Sequence, residues 1–140
     1  MPANEFIFPL KVYIEDTDYG GVVYHAKYLN FYERARTEWV TALGMDYDWQ
    51  VKNKILFVVR AITIDYLKPV RLGADIEIVT QLKELKHSSG IFQQHLRTTA
   101  APDTILNTAE VRVVCIDNEK FRPQSLPRCQ LHEIITGDQT

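Results

Sequence analysis

The spacing of apolar and polar positions changes character near residue 55. Before it, residues placed at 100° steps from Tyr24 gather Tyr28, Phe31, Tyr32, Ala35, Trp39, Ala42 and Leu43 on one face, with Asn30, Glu33, Arg34, Thr37 and Thr41 opposite. That is the amphipathic pattern of a helix. It predicts a helix over residues 24–43, about 20 residues and about 30 Å long, stopped by Gly44 as a left-handed cap. From Ile55 onward the period becomes two. Residues 59–67 are β-branched and aromatic, and Lys68 and Pro69 end the run. In the next strand Ile76, Ile78, Thr80 and Leu82 alternate with Asp75, Glu77, Gln81 and Lys83, apolar inside and polar outside. Residues 91–99 and 105–116 alternate again, the latter with Ala109, Val111, Val113 and Cys115 on one side. Upstream of the helix, residues 6–14 read as a first strand, interrupted or placed on an edge by Pro9.

The turns between the later strands are too short for helical crossovers, which predicts antiparallel pairing in a meander. The apolar face of such a sheet must be covered, and the helix carries the large apolar stripe able to cover it. The expectation is an α+β domain spanning residues 1–140, with a curved antiparallel sheet wrapped around one long helix. Residues 45–54 are mixed, with turn formers Asp46, Asp48 and Asn53, and should cover one end. Residues 117–140, with Pro123 and Pro127, should pack as an extended tail with frayed final residues.

Composition narrows the class. A chain of 140 residues with 46% hydrophobic and 24% charged residues is ordinary globular material, able to bury about two-thirds of its unfolded surface in one core. A net charge of −2 argues against a broad nucleic-acid or membrane surface while leaving room for a local basic patch. The segment MPANEFIFPLKVY lacks the basic start and apolar region of a secretory signal, and no apolar run is long enough to span a bilayer. Cys115 and Cys129 make no metal or redox spacing and are expected to be reduced thiols, which points to the cytoplasm.

Known phosphate-binding, serine-nucleophile and dinucleotide motifs are absent, and the four histidines, at 25, 87, 95 and 132, show no HExxH spacing. What remains is the acidic loop ahead of the helix, where Asp16 and Asp18 are followed by Gly20, Gly21, Val22, Val23, Tyr24 and His25. A carboxylate beside unpaired helix N–H groups suits acyl chemistry, since the donors can hold an oxyanion while the acid attacks or activates water. The same aspartates could instead cap the turn, and local chemistry does not choose between them.

The stretch EDTDYGGVVYHAKYLNFYERARTEW at 15–39 resembles the opening motif of the 4-hydroxybenzoyl-CoA thioesterase family, and more narrowly its Tol-Pal-associated (YbgC-type) acyl-CoA thioesterases of bacteria. The similarity continues through FVVRAITIDYLKPVRLGADIEI at 57–78. It implies a hotdog fold, in which the sheet wraps the long helix, and a homodimer with active sites between subunits, often doubled to a homotetramer. The family's catalytic aspartate precedes the loop glycines, which here is Asp18, acting as nucleophile or general base. The resemblance also implies backbone N–H donors around Val23 to His25, a site hydrogen bond from His25, and shaping roles for Tyr24 and Gly21, with Tyr13 lining the site or packing in the first strand.

The implied reaction hydrolyses acyl-CoA to free acid and CoA with no metal and no redox cofactor. Acyl carrier protein, which shares the pantetheine arm, stands as a second carrier. CoA phosphates need cations, and the candidates are Arg60, Lys68, Arg71, Lys86 and Arg122. Glu33, Arg34, Arg36 and Glu38 read as solvated or interface ion pairs, and Phe31, Tyr32 and Trp39 as core. Two alternatives stand beside hydrolysis: a hotdog hydratase or dehydratase acting on acyl thioesters, expected to carry a different helix-start motif, and a non-catalytic acyl-CoA or acyl-carrier-protein binding module.

Overall fold

The structure, a computed structural model, describes residues 5–127 and Leu131. In chain order it forms β1 (Glu5–Lys11), a single 3₁₀ turn (Ile14–Asp16), α1 (Lys27–Ala42), α2 (Tyr47–Lys52), β2 (Ile55–Tyr66), β3 (Asp75–Leu85), β4 (Ser89–Thr98) and β5 (Ile105–Asp117). The strands make one antiparallel five-stranded sheet in the order β1-β3-β4-β5-β2, and α1 packs its apolar stripe on one face of it. The α+β reading is borne out.

The expected inward faces hold. Ile76, Ile78, Thr80 and Leu82 of β3 are buried, as are Ala109, Val111, Val113 and Cys115 of β5. From α1, Tyr28, Phe31, Tyr32, Ala35 and Trp39 meet them. Trp39 is held between aromatic rings of two strands, stacked on Phe6 at 6.0 Å and edge-on to Phe92 at 6.1 Å. Truncating one such fully buried ring costs about 3–5 kcal/mol. Ala42, expected on this stripe, is exposed instead, at the last residue of α1.

Both helix ends carry information. The C-terminus closes as the pattern predicts: Gly44 sits at φ 88°, its N–H donates to Thr41 O at 2.9 Å, and the Met45 N–H donates to Val40 O at 3.0 Å. This pair of bonds satisfies carbonyls the helix would leave open, and Met45 is buried beneath them. The N-terminus is later than expected. Residues 22–24 are committed to other partners, through bridges of Val22 to Arg71 and Val23 to Thr17, so α1 begins at Lys27 and has 16 residues. Apolar periodicity cannot register such tertiary bonds. The stretch after Gly44 also contains more order than its mixed pattern suggests, since Asp46 caps α2 by accepting from the Trp49 N–H at 2.9 Å.

The sheet is not the simple meander expected. Strands β3, β4 and β5 follow one another, but β2 pairs with β5 and β1 pairs with β3, so β1 and β2 occupy the two edges. Pro9 is tolerated because β1 is an edge. The eight residues joining β2 to β3, 67–74, cross from one edge to the far side of the sheet. A period of two reports which face a residue takes and nothing about which strand lies beside it.

Candidate active site

That crossover positions the acidic loop. The Val23 N–H donates to Val70 O at 2.8 Å, the Leu72 N–H to Gly21 O at 3.0 Å, and the Gly73 N–H to Val12 O at 3.0 Å. Val70, Val12 and Val23 are buried under it. The loop is therefore clamped between β1, the crossover and the first turn of α1.

Within the clamp the two aspartates part company. Asp16 is buried at 3% exposure. Its carboxylate accepts the Tyr13 N–H at 2.9 Å and lies 3.5 Å from Lys27 Nζ at the start of α1, while its carbonyl accepts the Tyr24 N–H at 2.9 Å. Every group of Asp16 is engaged in holding the loop to the helix. Asp18 is exposed, and among the described residues its Oδ1 accepts the Gly20 N–H alone, at 2.8 Å. A Cβ on residue 20 would stand 3.1 Å from that oxygen, so the glycine lets the carboxylate fold close over the turn. Gly21, at φ 77°, completes it in a conformation that other residues rarely adopt.

The N–H groups of Val23 and Tyr24 are used within the chain, so they are not free to polarise a substrate carbonyl. The following two, of His25 and Ala26, make no backbone hydrogen bond to the described residues and sit immediately before α1. His25 is exposed and its ring lies 4.5 Å from that of Tyr24, tilted by 52°. Its carbonyl accepts the Tyr66 hydroxyl at 2.6 Å. Val23, His25, Tyr28, Tyr66 and Lys68 line a small open cavity of about 270 Å³ here. Tyr13 is exposed beside the loop rather than packed in β1.

The five cations separate by position. Lys68 lines the cavity with His25, and Arg71 is bridged to Val22 of the loop. Arg60 is exposed at a bulge in the middle of β2. Lys86 follows the far end of β3, where it pairs with exposed Glu84 at 3.5 Å, and Arg122 lies in the turn after β5, its N–H on Asp117. Those two stand at the opposite end of the sheet from Asp18, separated from it by the 11 residues of β3, a strand length of about 35 Å.

Against this geometry the sequence matches the Thioesterase-like superfamily over residues 12–134. The chain belongs to that family. It is 45% identical over 128 residues to the acyl-CoA thioester hydrolase YbgC of Escherichia coli O157:H7, covering 91% of this chain and 94% of the relative. It is 40% identical over 129 residues to the acyl-CoA thioesterase YbgC of Haemophilus influenzae, covering 91% and 93%. Among solved structures, a probable thioesterase from Bartonella henselae superposes with a TM-score of 0.80 at 31% identity, covering 88% of this chain and 99% of that one. The fold is also that of the 1,4-dihydroxy-2-naphthoyl-CoA thioesterase Slr0204 from Synechocystis, with a TM-score of 0.83 at 19% identity, covering 94% and 96%. The family resemblance carried by the opening motif is borne out, and with it the hotdog fold.

Thioesterase-family membership directs attention to residues that periodicity passed over. Tyr66 was hidden in an alternating strand, where its hydroxyl had no visible partner; the motif IleAspTyrLeuLysPro around it was the available signal. Lys27 is not part of an obvious charge pair in sequence, being 11 positions from Asp16. Arg36 is the clearest departure. Expected among solvated ion pairs with Glu33, Arg34 and Glu38, it is buried at 7% exposure, and its Nη1 donates to Gln94 Oε1 at 2.9 Å. None of the four forms an ion pair among the described residues, and Arg34 instead lies over the Phe31 ring at 6.0 Å. The place of Arg36 four residues after Tyr32, at the edge of the apolar stripe, was the signal. Cys115 is a buried free thiol pushed up to about 11 by burial, whereas Cys129 and His132 lie outside the described residues. No helix among the described residues is long and apolar enough to cross a membrane.

Proposed function

We propose that this chain hydrolyses acyl-CoA thioesters to a free acid and CoA, with Asp18 as the reacting carboxylate. The observation that carries the reading is the 45% identity over 91% of the chain to an acyl-CoA thioester hydrolase. The division of labour between the aspartates supports the residue choice, since Asp16 is consumed by the fold and Asp18 faces solvent. The oxyanion donors in this mechanism are the His25 and Ala26 N–H groups at the positive end of α1. The His25 ring and Tyr24 flank the acyl carbonyl, and the Tyr66 hydroxyl holds the peptide between them and the helix in place.

Two routes use this arrangement. In one, an Asp18 oxygen attacks the thioester carbon, CoA leaves as the thiolate, and water cleaves the resulting mixed anhydride. In the other, Asp18 takes a proton from water as the water attacks, and no covalent intermediate forms. A single turnover in heavy-oxygen water that leaves label in the Asp18 carboxylate establishes the first route, through water attack on the Asp18 carbonyl carbon of the anhydride; trapping the anhydride with hydroxylamine detects it when water attacks the acyl carbon instead. Lys68 and Arg71 are the cations assigned to the CoA phosphates within the protomer, and acyl carrier protein is a second carrier to be assayed beside CoA.

The working unit in this reading is a dimer or tetramer in the cytoplasm. β2 is an edge with unpaired backbone groups, and Val58 and Val59 on it are exposed. Sedimentation should then give two or four times the 16.2 kDa chain mass. The deciding experiment is Asp18→Asn, assayed with a free-thiol reagent over a panel of acyl-CoA esters. Loss of hydrolysis by at least a hundredfold in a folded protein is expected, and near-normal kcat in that variant overturns the assignment.

A further inference from the structure

A second cavity among the described residues lies away from the Asp18 loop. It lies between the second half of α1 and the sheet, has a volume of about 300 Å³, and is walled by apolar side chains such as Val40, Met45, Phe57, Leu82, Phe92 and Val113. None of residues 15–26 lines it. Into this apolar space opens one buried cation, Arg36.

The setting of that guanidinium is unusual. It carries five N–H donors, which make one hydrogen bond among the described residues, to Gln94 Oε1 at 2.9 Å. Gln94 is itself fixed, since its Nε2 donates to Tyr32 O at 3.0 Å and to Thr80 Oγ1 at 2.9 Å. The amide therefore presents its oxygen to Arg36 and holds the fork in one orientation. No carboxylate among the described residues pairs with it; Glu33, one turn earlier, is exposed at the rim. Burial pulls the guanidinium down to about 10, so it is charged at neutral pH. Glu33 favours the charge from the exposed rim, and a planar fork with donors to spare matches a carboxylate brought into the cavity.

We propose that this cavity binds an apolar chain ending in a carboxylate, with the carboxylate on Arg36 and the chain along Val40, Phe57 and Phe92. At about 300 Å³ the cavity is at the lower end of the sizes that take small organic ligands, room for a medium-length chain. Two sources supply this chemistry: a free fatty acid, or the far end of an acyl group that carries a second carboxylate.

Titration calorimetry with decanoate and with decanol tests the site on the intact protein. Decanoate should bind at least tenfold more tightly than decanol, and Arg36→Met should remove that difference. Thr37→Trp, on the exposed side of α1 and lining the cavity, should weaken both ligands by filling the space while leaving Arg36 in place. This second variant keeps the test open if Arg36→Met does not fold. Equal binding of decanoate and decanol by the native protein, or undiminished decanoate binding by folded Arg36→Met or Thr37→Trp, overturns the proposal. The source is read from kcat/KM for an ω-carboxyacyl-CoA against its plain counterpart: a preference lost in Arg36→Met assigns the cavity to substrate, and no preference with decanoate binding intact assigns it to a free acid.

Discussion

Lys27 Nζ stands 3.5 Å from the Asp16 carboxylate, joining the first residue of α1 to the buried floor of the acidic loop. Two residues on, Asp18 turns the other way, its carboxylate closed on the Gly20 N–H. One short loop thus contains an aspartate that builds and another that faces solvent, the proposed reacting carboxylate, and substitutions should separate them.

Asp16→Ala removes an acceptor from the part-buried Tyr13 N–H and a counter-charge from Lys27. It should cost about 1–3 kcal/mol in denaturant unfolding and lower activity through the displaced loop. Asp18→Asn should leave the unfolding midpoint nearly unchanged while abolishing most turnover, because it is exposed and its bond to Gly20 survives in the amide oxygen.

Tyr66→Phe deletes the 2.6 Å bond to the His25 carbonyl without altering the ring, which stays edge-on to Tyr28 at 5.2 Å. The peptide carrying the proposed oxyanion donors loses an anchor. We expect kcat to fall by roughly threefold to tenfold, about one hydrogen bond's worth of positioning, with little change in KM or in the circular dichroism spectrum.

Tyr32→Phe tests the buried polar layer. The Tyr32 hydroxyl donates to Asn107 Oδ1 at 2.6 Å inside the core, where Asn107 Nδ2 has no partner among the described residues. Stranding the whole amide should destabilise the protein by about 1–3 kcal/mol, read from the shift of the denaturant midpoint.

Burial, with Arg97 adding to it, holds His95 below its ordinary value of 6.5. The native state then takes up the imidazole proton less readily than the unfolded chain. This contribution to stability is present above about pH 6.5 and is lost as the pH falls below it. Native protein should therefore lose more unfolding free energy between pH 7.5 and 5.5 than His95→Gln does, and equal losses would show that His95 is not the group responsible.

The helix and its cap were legible because periodicity and glycine chemistry act locally: Phe31, Ala35 and Trp39 face inward as spaced, and Gly44 ends α1 as expected. The inward faces of β3 and β5 were legible for the same reason, since alternation is a property of one strand. The candidate loop could be located as well, by its acids and glycines and by its family motif. Local chemistry could not rank Asp16 against Asp18, because burial depends on what crosses above the loop, and residues 67–74 arrive from a strand far along the chain. The same dependence decides strand order, the late start of α1 and the burial of Arg36, whose partner Gln94 is 58 positions away. Sequence alone determined which faces are apolar and where the reactive groups cluster; the tertiary structure decided which of those groups are consumed by the fold, because hydrogen bonds between distant segments leave no period in either one.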